Sequence, residues 1–177
     1  MNRRHFLSTS VAAGVSTNHS QARNGPKDLR QAMFMGIAKA KKDLPRKAQL
    51  KIEGDKLRIL QFTDIHFFCD REKFGEKADL QTVEDMERMI QNTNPHLIAI
   101  TGDLWSDNPR GQGQEFFEYS LKKITSLGKP WLFNWGNHDR LDDYAAAQVT
   151  LTEAKNSLYR GGHDGGNYRI SITNSED

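Results

Sequence analysis

The chain is poor in cysteine, in long apolar runs and in charge of one sign, and each shortage removes a class of protein. Cys69 is the single cysteine among 177 residues, which excludes an intrachain disulfide framework and any four-cysteine zinc site. No stretch approaches the roughly 20 consecutive apolar residues that a membrane-spanning helix needs, so no transmembrane segment is expected. Lys and Arg number 25 against 23 Asp and Glu, a formal net charge of +2. That balance does not suit a chain that works chiefly by coating nucleic acid or anionic lipid, and no stable nucleic acid complex is expected. What remains is 36% hydrophobic and 27% charged residues with a mean hydropathy of −0.74, the composition of one ordinary domain able to bury a core.

Residues 1–22 read as an address. Arg3 and Arg4 precede Phe6-Leu7 and a weakly apolar stretch, Val11-Ala12-Ala13-Gly14-Val15, the layout of a signal peptide. Adjacent arginines followed by Phe6-Leu7 resemble the twin-arginine export signal, with Asn2 and Ser8 in place of its usual Ser/Thr and Lys. Ser20-Gln21-Ala22 fits a small-x-small cleavage site, and its use would leave the rest of the chain formally neutral. The reading implies export to the periplasm or outside the cell, with the export machinery as a partner; a disordered basic leader is the competing reading. Residues 23–50 read as a linker with an exposed helix, Leu29, Met33, Met35, Ile37 and Ala38 lying at loose helical spacing among basic residues until Pro45.

From residue 51 onward the pattern is that of an α/β domain. Leu57–Phe62 is a short β-favouring apolar run that enters Thr63-Asp64-Ile65-His66. Leu80, Val83, Met86, Met89 and Ile90 have helical spacing, ended by Asn94-Pro95. The run His96–Ile100 leads into Thr101-Gly102-Asp103, and a second helical pattern spans Phe117 to Leu127. The third run, Trp131–Trp135, ends in Gly136-Asn137-His138-Asp139. Strand and helix alternating in this way predict parallel strands with right-handed crossovers, so all three polar clusters emerge at the carboxyl edge of one sheet, where open α/β sheets place their sites. Residues 142–156 read as a helix, and residues 157–172 as a hairpin-like pair of strands around a glycine-rich turn.

The three clusters carry the chemistry. Asp64 and His66, two apart at a strand end, are expected to point to one face and hold one ion, oxygen plus imidazole suiting a transition metal. Asp103 offers a carboxylate that can bridge two ions, and Asn137 a neutral carbonyl oxygen for the second. Such a centre draws in a phosphate and lowers the pKa of a bridging water. His138, held by Asp139, is placed to stabilise the transition state or protonate the leaving oxygen, and with Asn137 to bind substrate. His96 reads as a rim residue, Asp107 and Asn108 as shaping their loop, and Cys69 as an inert, half-buried thiol. Trp105 is read either as lining a substrate cleft or as packing over a strand end.

Asp64-Ile65-His66, Gly102-Asp103 and Gly136-Asn137-His138-Asp139, in this order on successive strand ends, resemble the signature of the calcineurin-like metallophosphoesterase superfamily. The resemblance implies a sandwich of two mixed sheets flanked by helices, two divalent or trivalent ions (Mn, Fe or Zn), and a small phosphorylated substrate, a phosphate mono- or diester. Members of the superfamily carry further histidine ligands in Gly-His and Gly-His-x-His motifs. The only histidine after His138 is His163, in a segment that reads as a turn, so the chain reads as the N-terminal part of such a domain, truncated at its C-terminus. The purple acid phosphatases of the superfamily place a tyrosine three residues after the second-motif aspartate; Ser106 stands there. A non-catalytic remnant that binds metal or phosphate weakly is the alternative function.

Overall fold

In the computed structural model, residues 47–69, 71–161 and 168–174 are described. The export signal expected at residues 1–22, the helix expected before Pro45, and His163 lie outside them. The order is β1 (Lys47–Ile52), β2 (Ile59–Phe62), a four-residue helical turn α1 (Arg71–Phe74), α2 (Lys77–Thr93), β3 (Leu97–Thr101), α3 (Gly113–Ser126), β4 (Trp131–Asn134), α4 (Tyr144–Glu153) and β5 (Arg169–Asn174). Among the described residues no helix is long and apolar enough to cross a membrane.

β2, β3 and β4 form one sheet in that order, both pairings parallel, with Phe62 beside Ile100 and Thr101 beside Asn134. β3 lies in the middle, and its composition follows from that place. Ile98 and Ile100 pack into the main core with Met86 and Ile90 of α2, Phe117 and Ile124 of α3, and Phe133, while Leu97 joins Leu50, Ile52 and Leu158 in a second cluster. A parallel strand covered on both faces needs an unbroken apolar run, and Leu-Ile-Ala-Ile supplies it.

Two features differ from the sequence reading. β1 begins at Lys47, inside the segment read as linker. Its alternation of exposed Lys47, Gln49 and Lys51 with buried Ala48, Leu50 and Ile52 is that of a half-buried strand. The hairpin expected over residues 157–172 does not form: β5 pairs with β1, parallel, in register from Lys47 beside Arg169 to Ile52 beside Asn174, and Ser157 bridges Trp131 instead. Apolar Ile170 thereby packs against the cluster holding Ala48, Leu50 and Ile52. The resemblance implies mixed sheets; every strand pairing among the described residues is parallel.

The helix boundaries have local causes. α2 ends at Asn94, which takes a left-handed φ of 40° while its N–H donates to the Ile90 carbonyl, and Pro95 prevents continuation. Gly113 opens α3 by donating its N–H to the Asn108 side chain at 2.7 Å, and Asp143 caps α4 by accepting from Ala146 N–H at 3.0 Å. Of the apolar residues at helical spacing in α2, Met86 and Ile90 are buried, while Leu80 and Met89 stay exposed.

Candidate metal centre

Each of the three strands ends in a loop that carries one cluster, and backbone hydrogen bonds knit these loops together. Asp64 N–H donates to the Gly102 carbonyl, His66 N–H to the Asp103 carbonyl, and Asp107 N–H to the His138 carbonyl. Asp64, His66, Asp103 and Asp107 all adopt left-handed backbone, with φ between 52° and 59°. Each such residue costs on the order of 1–2 kcal/mol, least for aspartate, and clustered strain of this kind is typical of functional loops. The extended conformation expected at Asp64 and His66 is therefore not the one observed; both residues are left-handed, on either side of Ile65, and their side chains still meet.

One oxygen each of Asp64 and Asp103 and a ring nitrogen of His66 lie within 4.8 Å of one another. His66 Nε2 is 3.9 Å from Asp64 Oδ1 and 3.8 Å from Asp103 Oδ2, and no lysine or arginine among the described residues pairs with either carboxylate. Two carboxylates and an imidazole converging without a protein cation fit a divalent transition metal. Asp64 is largely exposed, whereas Asp103 is buried. Asn137 is exposed on the loop after β4, its main-chain carbonyl accepting from Arg140 Nε.

Gly136 makes the approach possible: a Cβ there would overlap the carboxylate and backbone nitrogen of Asp103. Gly102, at φ 97°, passes so near that its own Cβ would lie 2.9 Å from Gly136 Cα.

Asp139 is fully buried and does not hold His138. Its carboxylate accepts from the N–H groups of Gly136 (2.7 Å), Leu104 (2.7 Å), Asp103 (2.9 Å) and Trp105 (3.3 Å), so it fastens the loop after β3 to the loop after β4. Burial pushes its carboxyl up to about 6; the Gly136, Trp105 and Leu104 donors pull it down, and the nearby Asp103 charge pushes it up. The partner of His138 is Asp107, whose Oδ2 lies 3.1 Å from His138 Nδ1. Arg140 Nε approaches the other Asp107 oxygen at 3.3 Å. His138 N–H donates to Asp103 Oδ1 at 2.8 Å, and its ring meets that of His66 edge-on with centroids 5.0 Å apart. With Nδ1 taken by Asp107, Nε2 is the nitrogen left to face a substrate.

Asp107 is thus the residue that the sequence reading assigned to loop shape alone. Asn108 does shape the loop, bonding both Gly113 and Asp142. Trp105 is wholly buried against Phe117, Phe133 and Trp135, a packing residue rather than a cleft wall. His96 sits at the rim of β3 and accepts from Arg58 N–H at 3.0 Å. Cys69 is exposed, not half-buried.

The chain is similar to several known proteins. It is 28% identical over 142 residues to a probable inactive purple acid phosphatase of Arabidopsis thaliana, covering 65% of this chain and 36% of that protein. It is 30% identical over 106 residues to a probable cyclic nucleotide phosphodiesterase of Xenorhabdus bovienii, covering 56% of this chain and 39% of that protein. A second probable inactive purple acid phosphatase of Arabidopsis is 27% identical over 151 residues, 75% of this chain and 39% of that protein. The chain thus spans between a third and two fifths of the length of these relatives. The calcineurin-like phosphoesterase model matches residues 57–174, the stretch that carries all three strand-end clusters. By that match the chain belongs to the calcineurin-like phosphoesterase family.

Proposed function

We propose that this chain carries the phosphoryl-binding part of a metal-dependent phosphoesterase that hydrolyses phosphate mono- or diesters. The observation that carries the reading is the convergence of Asp64, His66 and Asp103 within 4.8 Å, with the His138–Asp107 pair beside it. Asp64, His66, Asp103 and Asn137 are the residues that would hold the metal of such a centre. Bound there, Mn, Fe or Zn would supply Lewis acidity toward phosphoryl oxygens and a water acidified toward neutral pH.

The remaining work falls to the protein. His138, held through Nδ1 by Asp107, presents Nε2–H to the leaving oxygen and donates that proton as the ester bond breaks. Its position is set by the backbone bond from His138 N–H to Asp103 Oδ1. Asn137, exposed on the same loop, contributes its amide to the phosphoryl oxygens. Asp139 acts earlier in the chain of causes, keeping the two loops in place by accepting four amide N–H groups. The arginine pair at residues 3 and 4 and the apolar stretch after it support export through the twin-arginine route.

A second reading, metal or phosphate binding without turnover, is favoured by two particular observations. The similar plant proteins are described as probably inactive, and the described cluster offers three convergent donors where two ions ask for more. Hydrolysis of 4-nitrophenyl phosphate and of its bis-ester, measured with added Mn, separates the two. The enzyme reading expects metal-dependent release of nitrophenol that disappears in Asp103→Asn; a folded, metal-bound chain that releases none supports the binding reading.

A further inference from the structure

The loops around the metal centre enclose a cavity of about 710 Å³, within the size range of small-molecule sites. It lies beside the centre. Ser106 lines it, and Ser106 Oγ is 3.4 Å from His66 Nδ1; Phe68, two residues after His66, lines it as well.

Its lining includes basic side chains. Among the described residues, Arg71, Lys73, Arg110 and Glu115 are the charged side chains that line it. The Arg71 guanidinium lies 3.9 Å over the Phe68 ring, which stacks on Phe116 with centroids 4.0 Å apart. Glu76 at 3.5 Å and the buried Asp79 at 4.0 Å hold that guanidinium in place, so little freedom is lost when it meets an anion. Asp79 also accepts the Phe68 N–H at 3.3 Å, tying ring, guanidinium and helix α2 into one unit. Arg110 has no ion-pair partner among the described residues, although its charge is exposed at the cavity wall.

We propose that this cavity receives the organic portion of the phosphoester, and that this portion carries a carboxylate or phosphate of its own, bound by Arg110 and Arg71 above the Phe68–Phe116 floor. The role as a substrate pocket rests on the phosphoesterase reading; the anion preference of the cavity does not. A neutral alcohol portion leaves Arg110 unpaired, whereas an anionic one gains a charge-assisted hydrogen bond inside a partly enclosed space.

The test separates the two. Binding of 4-hydroxybenzoate and of 4-hydroxybenzamide, equal in shape and different in charge, is followed by amide NMR on the full chain. Hydrolysis of 4-carboxyphenyl and 4-carbamoylphenyl phosphate is measured alongside with added Mn. The expected result is binding of the benzoate about tenfold tighter than the benzamide, a preference reduced by salt and abolished in Arg110→Gln. Lys51→Gln, which removes a cation from an exposed position of β1, retains it. Equal binding of the two probes by the native chain, or an undiminished preference in Arg110→Gln, overturns the proposal. Should Arg110→Gln fail to fold, the preference of the native chain and its response to salt decide the matter. Hydrolysis of both esters without a binding preference removes the pocket and keeps the phosphoesterase reading. A binding preference with neither ester hydrolysed keeps the anion cavity and removes that reading.

Discussion

His138 is placed by two carboxylates with separate tasks. Asp103 takes its backbone N–H and Asp107 its Nδ1, so the ring is fixed at both ends and Nε2 is turned to the chemistry. Because His138 is the proposed proton donor and is not one of the convergent donors, His138→Ala should retain metal and lose turnover on the order of 100-fold or more. Asp107→Asn keeps an oxygen beside His138 Nδ1 and removes its charge. Its expected cost in kcat is smaller, on the order of tenfold. Steady-state kinetics with measured metal content check both. A kcat of Asp107→Asn equal to that of the native chain would assign Asp107 to loop shape alone.

The elements that meet at the site are loops joined by buried carboxylates. Asp139→Ala strands four amide donors between the loops after β3 and β4, and the expected loss is more than about 3 kcal/mol in urea unfolding. Asp79 plays a similar part between α2 and the loop carrying Phe68 and Arg71. Burial raises its carboxyl above 3.8, while the Phe68 N–H and Arg71 pull the other way. A carboxyl that is harder to ionise in the folded chain favours folding while protonated, and that advantage is lost as pH rises from 3.8 through the raised value. The stability of the native chain relative to Asp79→Asn should therefore fall across that window and level off above it; a difference that grows with pH would contradict the burial effect.

At this same scale the sequence was legible where composition reports burial. Ile98 and Ile100 on one face and Leu97 on the other made β3 an apolar run, and the strand-end clusters came with it. β1 was not legible, because Lys47, Gln49 and Lys51 on its exposed face look like part of a basic linker until β5 is laid beside it. The hairpin was misread for the same reason: a glycine-rich turn between two short apolar runs says nothing of a more distant parallel partner. Asp64, His66 and Asp103 could be read from spacing, but the left-handed backbone at each of them could not. Asp139 and Asp107 exchanged roles, since the buried amides that Asp139 serves belong partly to another loop, 34 to 36 residues away.

Over the whole molecule, the acidic cluster joins the ends of β2 and β3, and Asp103 also accepts the His138 N–H from the loop after β4, so a bound cation should stabilise the fold and not merely occupy its surface. A ligand at a hundred times its dissociation constant adds about 2.7 kcal/mol of stability, and thermal unfolding should move upward with Mn. Weakening of the cluster by Asp103→Asn should remove most of that shift while leaving the unfolding of the metal-free chain nearly unchanged, since an amide oxygen at the same place can still accept the His138 N–H.

The most direct measurement is a titration of the full chain with Mn, followed by the loss of the free-ion electron paramagnetic resonance signal, in the native protein, Asp103→Asn and His66→Ala. Saturable binding by the native chain that weakens at least tenfold in each variant is the predicted result. Binding by both variants that matches the native chain would contradict a metal centre built on Asp64, His66 and Asp103.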